Sequence, residues 1–147
     1  MTITMRQVYQ TIEDAVVGIP ELSAAQVHHG NVPDALPTYS NGQVMPYVVI
    51  WPRVPVPTDD MALSGVQLRD GLAFPFQTTC VATDLLNQLM PMTDAVAAAL
   101  TGLQIGAGNV YHDSENVTGG LGGGEYLQDP DLPDRYFVPL RWYLETQ

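Results

Sequence analysis

The sequence contains no lysine, and its five arginines stand against sixteen acidic residues, so the formal net charge at pH 7 is −11. A protein that binds duplex nucleic acid needs a basic surface that displaces counterions from the phosphates. The chain cannot supply such a surface from arginines scattered at Arg6, Arg53, Arg69, Arg135 and Arg141. The composition therefore excludes duplex binding and predicts an acidic surface, for which solubility is the simplest role.

Cysteine and long apolar runs are also scarce. The single cysteine, Cys80, excludes a disulfide within the chain, and its place on the inward face of a predicted strand favours a buried structural thiol over a nucleophile. No apolar run approaches the ~18 residues of a membrane span, and the amino terminus lacks a signal segment. We therefore expect one soluble, cytoplasmic domain over residues 1–147 with no membrane contact.

Motifs that carry catalysis or bind metals are missing too. Gly119–Gly124 fits neither a dinucleotide nor a phosphate-binding loop, and is better explained as a flexible loop. The rings of the adjacent His28 and His29 would face opposite sides of a strand, and His112 is distant. Asp129–Asp134 lacks the glycine and the terminal glutamate of a calcium loop, so it predicts an acidic turn. We predict no catalytic residue, no metal site and no cofactor.

What the sequence does contain is a strand followed by a helix between Phe74 and Gly102. Residues 76–82 alternate with a period of two, and one face would carry Phe76, Thr78, Cys80 and Ala82 and the other Gln77, Thr79 and Val81. From Asp84 the apolar residues recur at helical spacing, at Leu85, Leu89, Met92, Val96 and Leu100. Thr83 or Asp84 can cap this helix and Gly102 can end it, and the helix would fold back over the sheet.

Pro91 interrupts the predicted helix. A proline inside a helix removes a hydrogen bond and clashes with the preceding turn, at a cost of roughly 3 kcal/mol. Either the helix kinks there, or it breaks and restarts with Pro91 near a new first turn. We favour the kink, because the apolar stripe stays in phase through Pro91.

The remaining elements predict an α+β fold: a mixed, largely antiparallel β-sheet with an N-terminal helix and a second helix packed on it, and with long loop excursions. Apolar spacing predicts a helix over 4–17, capped by Thr2 or Thr4. Predicted strands are Ala25–His29, Pro46–Trp51, which should pair antiparallel with Phe74–Ala82, a short one near Asn109–His112, and Arg135–Leu144, where Pro139 implies a bulge or an edge.

Two long connections separate these elements. Gly30 to Met45 predicts a loop, and loops of this length in compact domains are usually functional or form contacts. Trp51 to Leu72 carries Pro52, Pro55 and Pro57, a spacing typical of an extended, stiff segment. We predict that this excursion is an arm that projects from the sheet.

The order and length of these segments resemble the tail terminator proteins of long-tailed bacteriophages. The resemblance is carried by Val27-His-His-Gly-Asn-Val-Pro33, Leu36-Pro37, Pro46-Tyr-Val-Val-Ile50, Phe76-Gln-Thr-Thr-Cys-Val81 and the helix that ends Ala98-Ala-Leu-Thr-Gly102. It spans nearly the whole chain and includes the N-terminal helix and the closing aromatic strand. It is a likeness of order, without a sharp motif. Pro91, the 54–72 excursion and the glycine loop depart from the family pattern.

The resemblance implies a structural virion protein that is not an enzyme. Members of that family form a hexameric ring on the completed tail tube, which stops polymerisation of the major tail protein and provides the surface that joins the head-completion or connector protein. It implies a place at the tail–neck junction of the virion after assembly in the host cytoplasm. DNA would pass through an acidic lumen without specific binding.

Candidate contacts with a neighbouring subunit or the tail tube lie in the loops. They are Pro33, Leu36, Pro37, Tyr39, Arg53, Asp59, Asp60, Arg69 and Gly122. The loops they mark are Pro33–Asn41, Thr58–Asp70 and Gly119–Gly124. For each loop a solvated connector is the plain alternative, and Arg53 and Arg69 could equally form salt bridges within the chain.

Three other functions remain open from the sequence. A neck or head-completion protein would act on the portal side, and such proteins tend to be more helical or to be small β-barrels. A small α+β enzyme or ligand-binding domain would need a pocket lined by convergent polar groups, for which the sequence shows no cluster. A cellular protein with a purely interacting role is the third.

Overall fold

A computed structural model describes residues 4–20, 22–23, 26–32, 34–53, 56–57, 72–106, 108–112, 125–132 and 134–146. Within these ranges the chain forms one β-sheet and two α-helices, the α+β fold that the sequence predicts. The helices are α1 (Met5–Val17) and α2 (Met90–Leu100), and a π-helical turn (Leu85–Leu89) directly precedes α2. The strands are β1 (Val27–His29), β2 (Tyr47–Pro52), β3 (Val56–Pro57), β4 (Leu72–Ala82), β5 (Gln104–Ile105), β6 (Gly108–His112), β7 (Leu127–Gln128) and β8 (Tyr136–Thr146).

The sheet is mixed and largely antiparallel, as predicted. Its main path runs β1-β2-β4-β8-β6-β5, while β3 pairs with β4 and β7 with β8. Only β1 and β2 pair in parallel among the described strands. The antiparallel pairing of β2 with β4 is confirmed, from Tyr47 opposite Val81 to Pro52 opposite Phe76. The sequence analysis missed the two-residue strands β3, β5 and β7, which are too short to show a period.

The first helix begins where the sequence predicts. Thr4 accepts a hydrogen bond from the Gln7 backbone at 3.2 Å, and the Gln7 side chain accepts one from the Thr4 backbone at 2.8 Å. This reciprocal pair satisfies two backbone donors that a helix start would otherwise leave unpaired. The Nε2 atom of His29 on β1 lies 3.3 Å from the Oε2 atom of Glu13, and this contact links the edge strand to α1.

The core lies between the two helices and one face of the sheet. On β4 this face carries the alternate residues from Phe74 to Ala82, so the predicted division of the strand into two faces is confirmed. The predicted helix stripe is also confirmed, with Leu85 half-buried and its other members buried. Buried members include Val8, Ile12 and Val16 of α1, Met92, Val96 and Leu100 of α2, and Phe76, Cys80 and Trp142 of the sheet. No helix in the described part of the chain is long and apolar enough to cross a membrane.

Pro91 is accommodated by the π-helical turn in front of it. The backbone N–H groups of Leu89 and Met90 bond to the carbonyls five residues earlier, and both residues keep right-handed helical angles. Because a π turn is wider than an α turn, it separates the proline ring from the carbonyl with which it would otherwise clash. The chain stays helical through this segment, but the α-helical hydrogen bonds restart with Pro91 in the first turn of α2, which is closer to a restart than to the kink that we favoured.

The expectation of a bulge at Pro139 is wrong, and the expectation of an edge holds only for one flank of the strand around this residue. β8 is an interior strand, and its register with β4 runs without interruption from Leu72 opposite Thr146 to Ala82 opposite Tyr136. On the other flank of β8, β7 pairs with residues 136–137 and β6 with residues 142–144. Among the described residues no strand pairs with Pro139 on this flank, so the proline lies where the ladder does not need its N–H.

Cys80 should be inert in the folded protein. The thiol is fully buried, and burial raises its pKa to about 12, so almost no thiolate exists at pH 8. We expect negligible alkylation of the native protein at pH 8 and complete alkylation in denaturant, measured by mass spectrometry. A variant with Cys80→Ala and Thr79→Cys moves the thiol to the half-buried opposite face and should react quickly. Fast alkylation of native Cys80 would contradict the buried placement.

Thr78 and Thr79 provide a matched pair for the core. The Trp142 indole N–H donates to the buried Thr78 hydroxyl at 2.9 Å. Thr78→Val keeps the shape but leaves that buried donor without its acceptor, so the free energy of unfolding should fall by about 1–3 kcal/mol. Thr79→Val, on the opposite face, removes the acceptor of Trp51 and Gln77, but both donors are partly exposed and can bond to water, so the loss should be smaller, below about 1 kcal/mol. Urea unfolding measures both, and equal losses would refute the assignment of the two faces.

Candidate interaction surface

The second face of the sheet is divided into a covered part and a more accessible part. Tyr47, Val49 and Val81 form a second apolar cluster, against which Leu36, Val44 and Phe137 pack. Beyond it lies a set of aromatic and polar side chains that we call the outer patch: Trp51, Gln77, Thr79, Tyr111, Arg141 and Tyr143. Trp51 is 37% exposed and Tyr111 is 48% exposed. The other members are half-buried.

Trp51 is held in place although it is exposed. Its indole N–H donates to the Thr79 hydroxyl at 3.2 Å, and the Gln77 amide donates to the same oxygen at 3.1 Å. Gln77 lies opposite Trp51 on one side and opposite Arg141 on the other, so the three residues form a row across β2, β4 and β8. An exposed aromatic ring whose orientation is already fixed loses little entropy when a partner covers it.

Arg53 follows Trp51 at the end of β2, and its backbone is fixed by α1. The Tyr9 hydroxyl donates to the Arg53 carbonyl and accepts from the Arg53 N–H, both at 3.1 Å. Burial raises the pKa of Tyr9, although the hydrogen bond and the charge of Arg53 oppose that shift. Within the described part of the chain, neither Arg53 nor Arg141 forms an ion pair with a carboxylate. Two of the five cations therefore lie at or near the outer patch.

The loop before β2 is an ordered hairpin. Thr38 bridges Val44, the Tyr39 N–H donates to the Gln43 carbonyl at 2.8 Å, and the Gly42 N–H donates to the Tyr39 carbonyl at 2.9 Å. The turn requires Gly42, whose φ of 86° is a conformation that other residues rarely adopt. The hairpin covers the second apolar cluster, which explains why a loop of this length is ordered.

A small pocket lies between this hairpin and the start of the second helix. Its volume is about 190 Å³, and it is lined by Leu22, Tyr39, Pro46, Asn87, Gln88, Pro91 and Met92. Asp84 accepts hydrogen bonds from the Asn87 backbone at 3.0 Å and from the Asn87 side chain at 3.1 Å, so a carboxylate lies beside the pocket. This pocket is at the Pro46 end of β2, whereas Trp51 is at the other end.

The predicted contact residues divide between these regions. Leu36 and Pro37 are half-buried and belong to the hairpin, so Leu36 packs on its own sheet instead of projecting as a free contact. Tyr39 is 39% exposed and lines the pocket, and Arg53 is exposed beside the outer patch. The others, Pro33, Asp59, Asp60, Arg69 and Gly122, lie outside the described residues, as do most of the predicted arm and the glycine loop.

The three histidines contact different parts of the structure. His29 faces α1 and His28 packs its ring against Tyr47 on the opposite side, so the predicted opposite facing of the pair is confirmed. His112 packs against Trp142. Burial lowers the pKa of His28. Among the described residues no group of three or more histidine, cysteine or acidic side chains could hold a metal ion.

Sequence reasoning missed Trp51 and the pocket. The strand predicted over 46–51 was not divided into its buried residues 47–50 and the exposed Trp51. The signal was present, because Trp51 faces the same side as the polar Gln77 and Thr79 that alternate along β4. The pocket depends on a hairpin meeting a helix that is distant in sequence, and no local pattern predicts it.

Comparisons with known proteins give no further assignment. No model of a known protein family matches the chain, and a search of curated proteins finds no significant match. Function is therefore inferred from the residues, the two surfaces and the resemblance.

The contact between Tyr9 and Arg53 can be tested by removing one oxygen. Tyr9→Phe keeps the ring packing but deletes both hydrogen bonds to Arg53, so the free energy of unfolding should fall by about 1 kcal/mol. The amide of Arg53 should also exchange faster with solvent, as measured by hydrogen–deuterium exchange. Tyr39→Phe, which alters an exposed hydroxyl, is the control and should change neither quantity. An unchanged exchange rate in Tyr9→Phe would contradict the pinned backbone.

Proposed function

We propose that this chain is a tail terminator protein, a structural subunit that caps the finished tube of a long-tailed bacteriophage as a ring. The ring, a hexamer in the family that the chain resembles, would stop addition of the major tail protein. It would also present the surface to which the head-completion or connector protein binds. In this proposal the chain is not an enzyme and needs no cofactor.

The observation that carries the proposal is the one-sided arrangement of the sheet. Both helices cover one face, and the other face carries the outer patch with its fixed, exposed Trp51 and with Arg141, which forms no ion pair among the described residues. A ring subunit needs two different surfaces, one for each neighbour, because its contacts are heterologous and close at a fixed rotation. The outer patch and the pocket, at opposite ends of β2, are two such surfaces on one rigid sheet.

The size of the pocket supports a structural role over binding of a small molecule. Sites for small ligands and cofactors usually have about 300–1,000 Å³, with a few polar groups that converge on the ligand. The pocket beside Tyr39 has about 190 Å³ and is lined mostly by apolar side chains. It can hold one side chain of a partner more readily than a whole ligand.

The charge of the chain suits a channel for DNA. Each subunit carries a net charge of −11, so a ring of six would surround its lumen with a strongly negative potential. Phosphates would be repelled from such a wall, and DNA would pass without binding. The mixed sheet with helices on one side also supports the tail side of the neck over a portal-side neck protein, since we expected the latter to be more helical or a small β-barrel.

The native mass of the purified protein is the first test. A closed ring of six copies of 16.0 kDa has a mass of about 96 kDa, which sedimentation or native mass spectrometry at several concentrations would detect. A ring of this mass that also halts tube growth at a fixed length, when it is added to polymerising major tail protein, would support the proposal.

The same growth assay decides the matter if the free protein is smaller. Serum albumin at equal concentration is a control for crowding, and protein unfolded in urea and then diluted is a control for the fold. A folded protein that leaves the length distribution of the tubes unchanged at a large molar excess would overturn the proposal, whatever its mass in solution.

A further inference from the structure

We propose that Trp51 of one copy inserts into the pocket beside Tyr39 of a second copy, so that the two surfaces form a repeated head-to-tail contact. This inference rests on the proposed function where it takes a second copy as the partner, but it concerns particular residues that can be tested without any tail tube. Pro46 directly precedes β2, and Trp51 lies five residues further along the chain, which is about 16 Å along a strand. A single copy therefore cannot fill its own pocket with its own indole.

The exposed side chain of Trp51 is also already positioned on the sheet. The Trp51 indole is held by Thr79, and the backbone of Arg53 is fixed by Tyr9. Tryptophan and arginine are the residues that most often carry the binding energy of protein interfaces, and they do so when they enter a pocket that excludes water. The pocket has this character, because Leu22, Pro46, Pro91 and Met92 give it apolar walls.

The charges around Trp51 and around the pocket are complementary, which favours a second copy of this chain as the partner that enters the pocket. Arg141 lies two strands from Trp51, about 10 Å away across the sheet. Arg53 follows Trp51 by two residues in the sequence. The helical wall of the pocket has the opposite sign: Asp84 is bonded to Asn87 there, and the exposed Asp94 lies one helical turn beyond Pro91. Residues 84–102 contain no basic residue. Copies that approach head to tail therefore bring cations to carboxylates, whereas like surfaces that meet would repel.

The contact is also of the kind that generates a ring. A projecting group and a pocket at different places on one molecule form a heterologous contact, which leaves one unused group and one unused pocket at each end of an open chain. If the rotation between copies closes, the ends meet. The π-helical turn contributes to this arrangement, because it is the segment that presents Asn87 and Gln88 to the pocket in front of Pro91.

The test uses two variants that each disable one half of the contact. Trp51→Ala removes the projecting group and keeps the pocket; Asn87→Trp places an indole at the pocket wall and keeps the projecting group. Each variant alone should self-associate at least about tenfold more weakly than the unmodified protein in sedimentation velocity. A mixture of the two should form a dimer of twice 16.0 kDa through the single intact contact and no larger species.

Matched controls separate the contact from general damage. Leu86→Trp adds the same indole to a neighbouring side chain that is 68% exposed and does not line the pocket, so this variant should associate as the unmodified protein does. Arg141→Glu should weaken association, whereas Arg6→Glu, the same charge change on the first turn of α1, should not. Protection of Cys80 from alkylation verifies that each variant is folded.

The possible outcomes are distinct. Full association of Asn87→Trp, or no dimer in the mixture, would overturn the inference, since a two-fold contact between outer patches does not need the pocket. An unmodified protein that stays monomeric up to about 1 mM would overturn it as well, because a contact that weak has no place in a stable ring. If the mixture of Trp51→Ala and Asn87→Trp forms the dimer but the protein does not halt tube growth, the tail terminator proposal is rejected and the contact is retained.

Discussion

The pairing of β4 with β8 is the constraint on which the rest of the structure depends. Both strands have 11 residues and pair along their whole length, and no other pair of strands approaches that extent in the described chain. At the centre of the pair, Trp142 donates to Thr78 across the two strands and fixes their register from the core side. A slip of one residue would turn Phe76, Cys80 and Trp142 out of the core, so the hydrophobic pattern and this hydrogen bond enforce the same register.

The two faces of this strand pair have different fates, and the difference produces the surfaces of the molecule. The even-numbered residues of Phe74–Ala82 on β4 and of Tyr136–Leu144 on β8 face the helices, where they pack with α1 and α2. The odd-numbered residues face outward, where the hairpin over 36–44 covers only the end that carries Val81 and Phe137. The outer patch is what that hairpin leaves accessible. The Asn41-Gly42 turn, which keeps the hairpin short, therefore also sets the extent of the patch.

The regular elements could be predicted from the sequence because each has a period that its residues show locally. The stripe from Leu85 to Leu100 and the alternation from Phe76 to Ala82 predicted both their structure and the faces that are buried. A bulge at Pro139 was predicted wrongly for a physical reason: a proline disturbs a strand only where a neighbouring strand needs its N–H, and the pairing of β8 with β6 and β7 cannot be seen in sequence. The candidate site was predicted only in part, since Arg53 and Tyr39 were chosen but Trp51 and Asn87 were not. Their roles depend on contacts between distant segments.

The scarcity of cations gives meaning to where they lie. Two copies with a net charge of −11 each repel one another on approach, so they can associate only through surfaces whose local charges oppose that repulsion. Arginines in internal ion pairs would not reduce this repulsion, and within the described chain Arg53 and Arg141 form no ion pair. Both flank the exposed Trp51, while the helix beside the pocket carries carboxylates alone. This distribution of charges favours attraction between two copies in one relative orientation and repulsion in the others. A subunit of a closed ring requires this property.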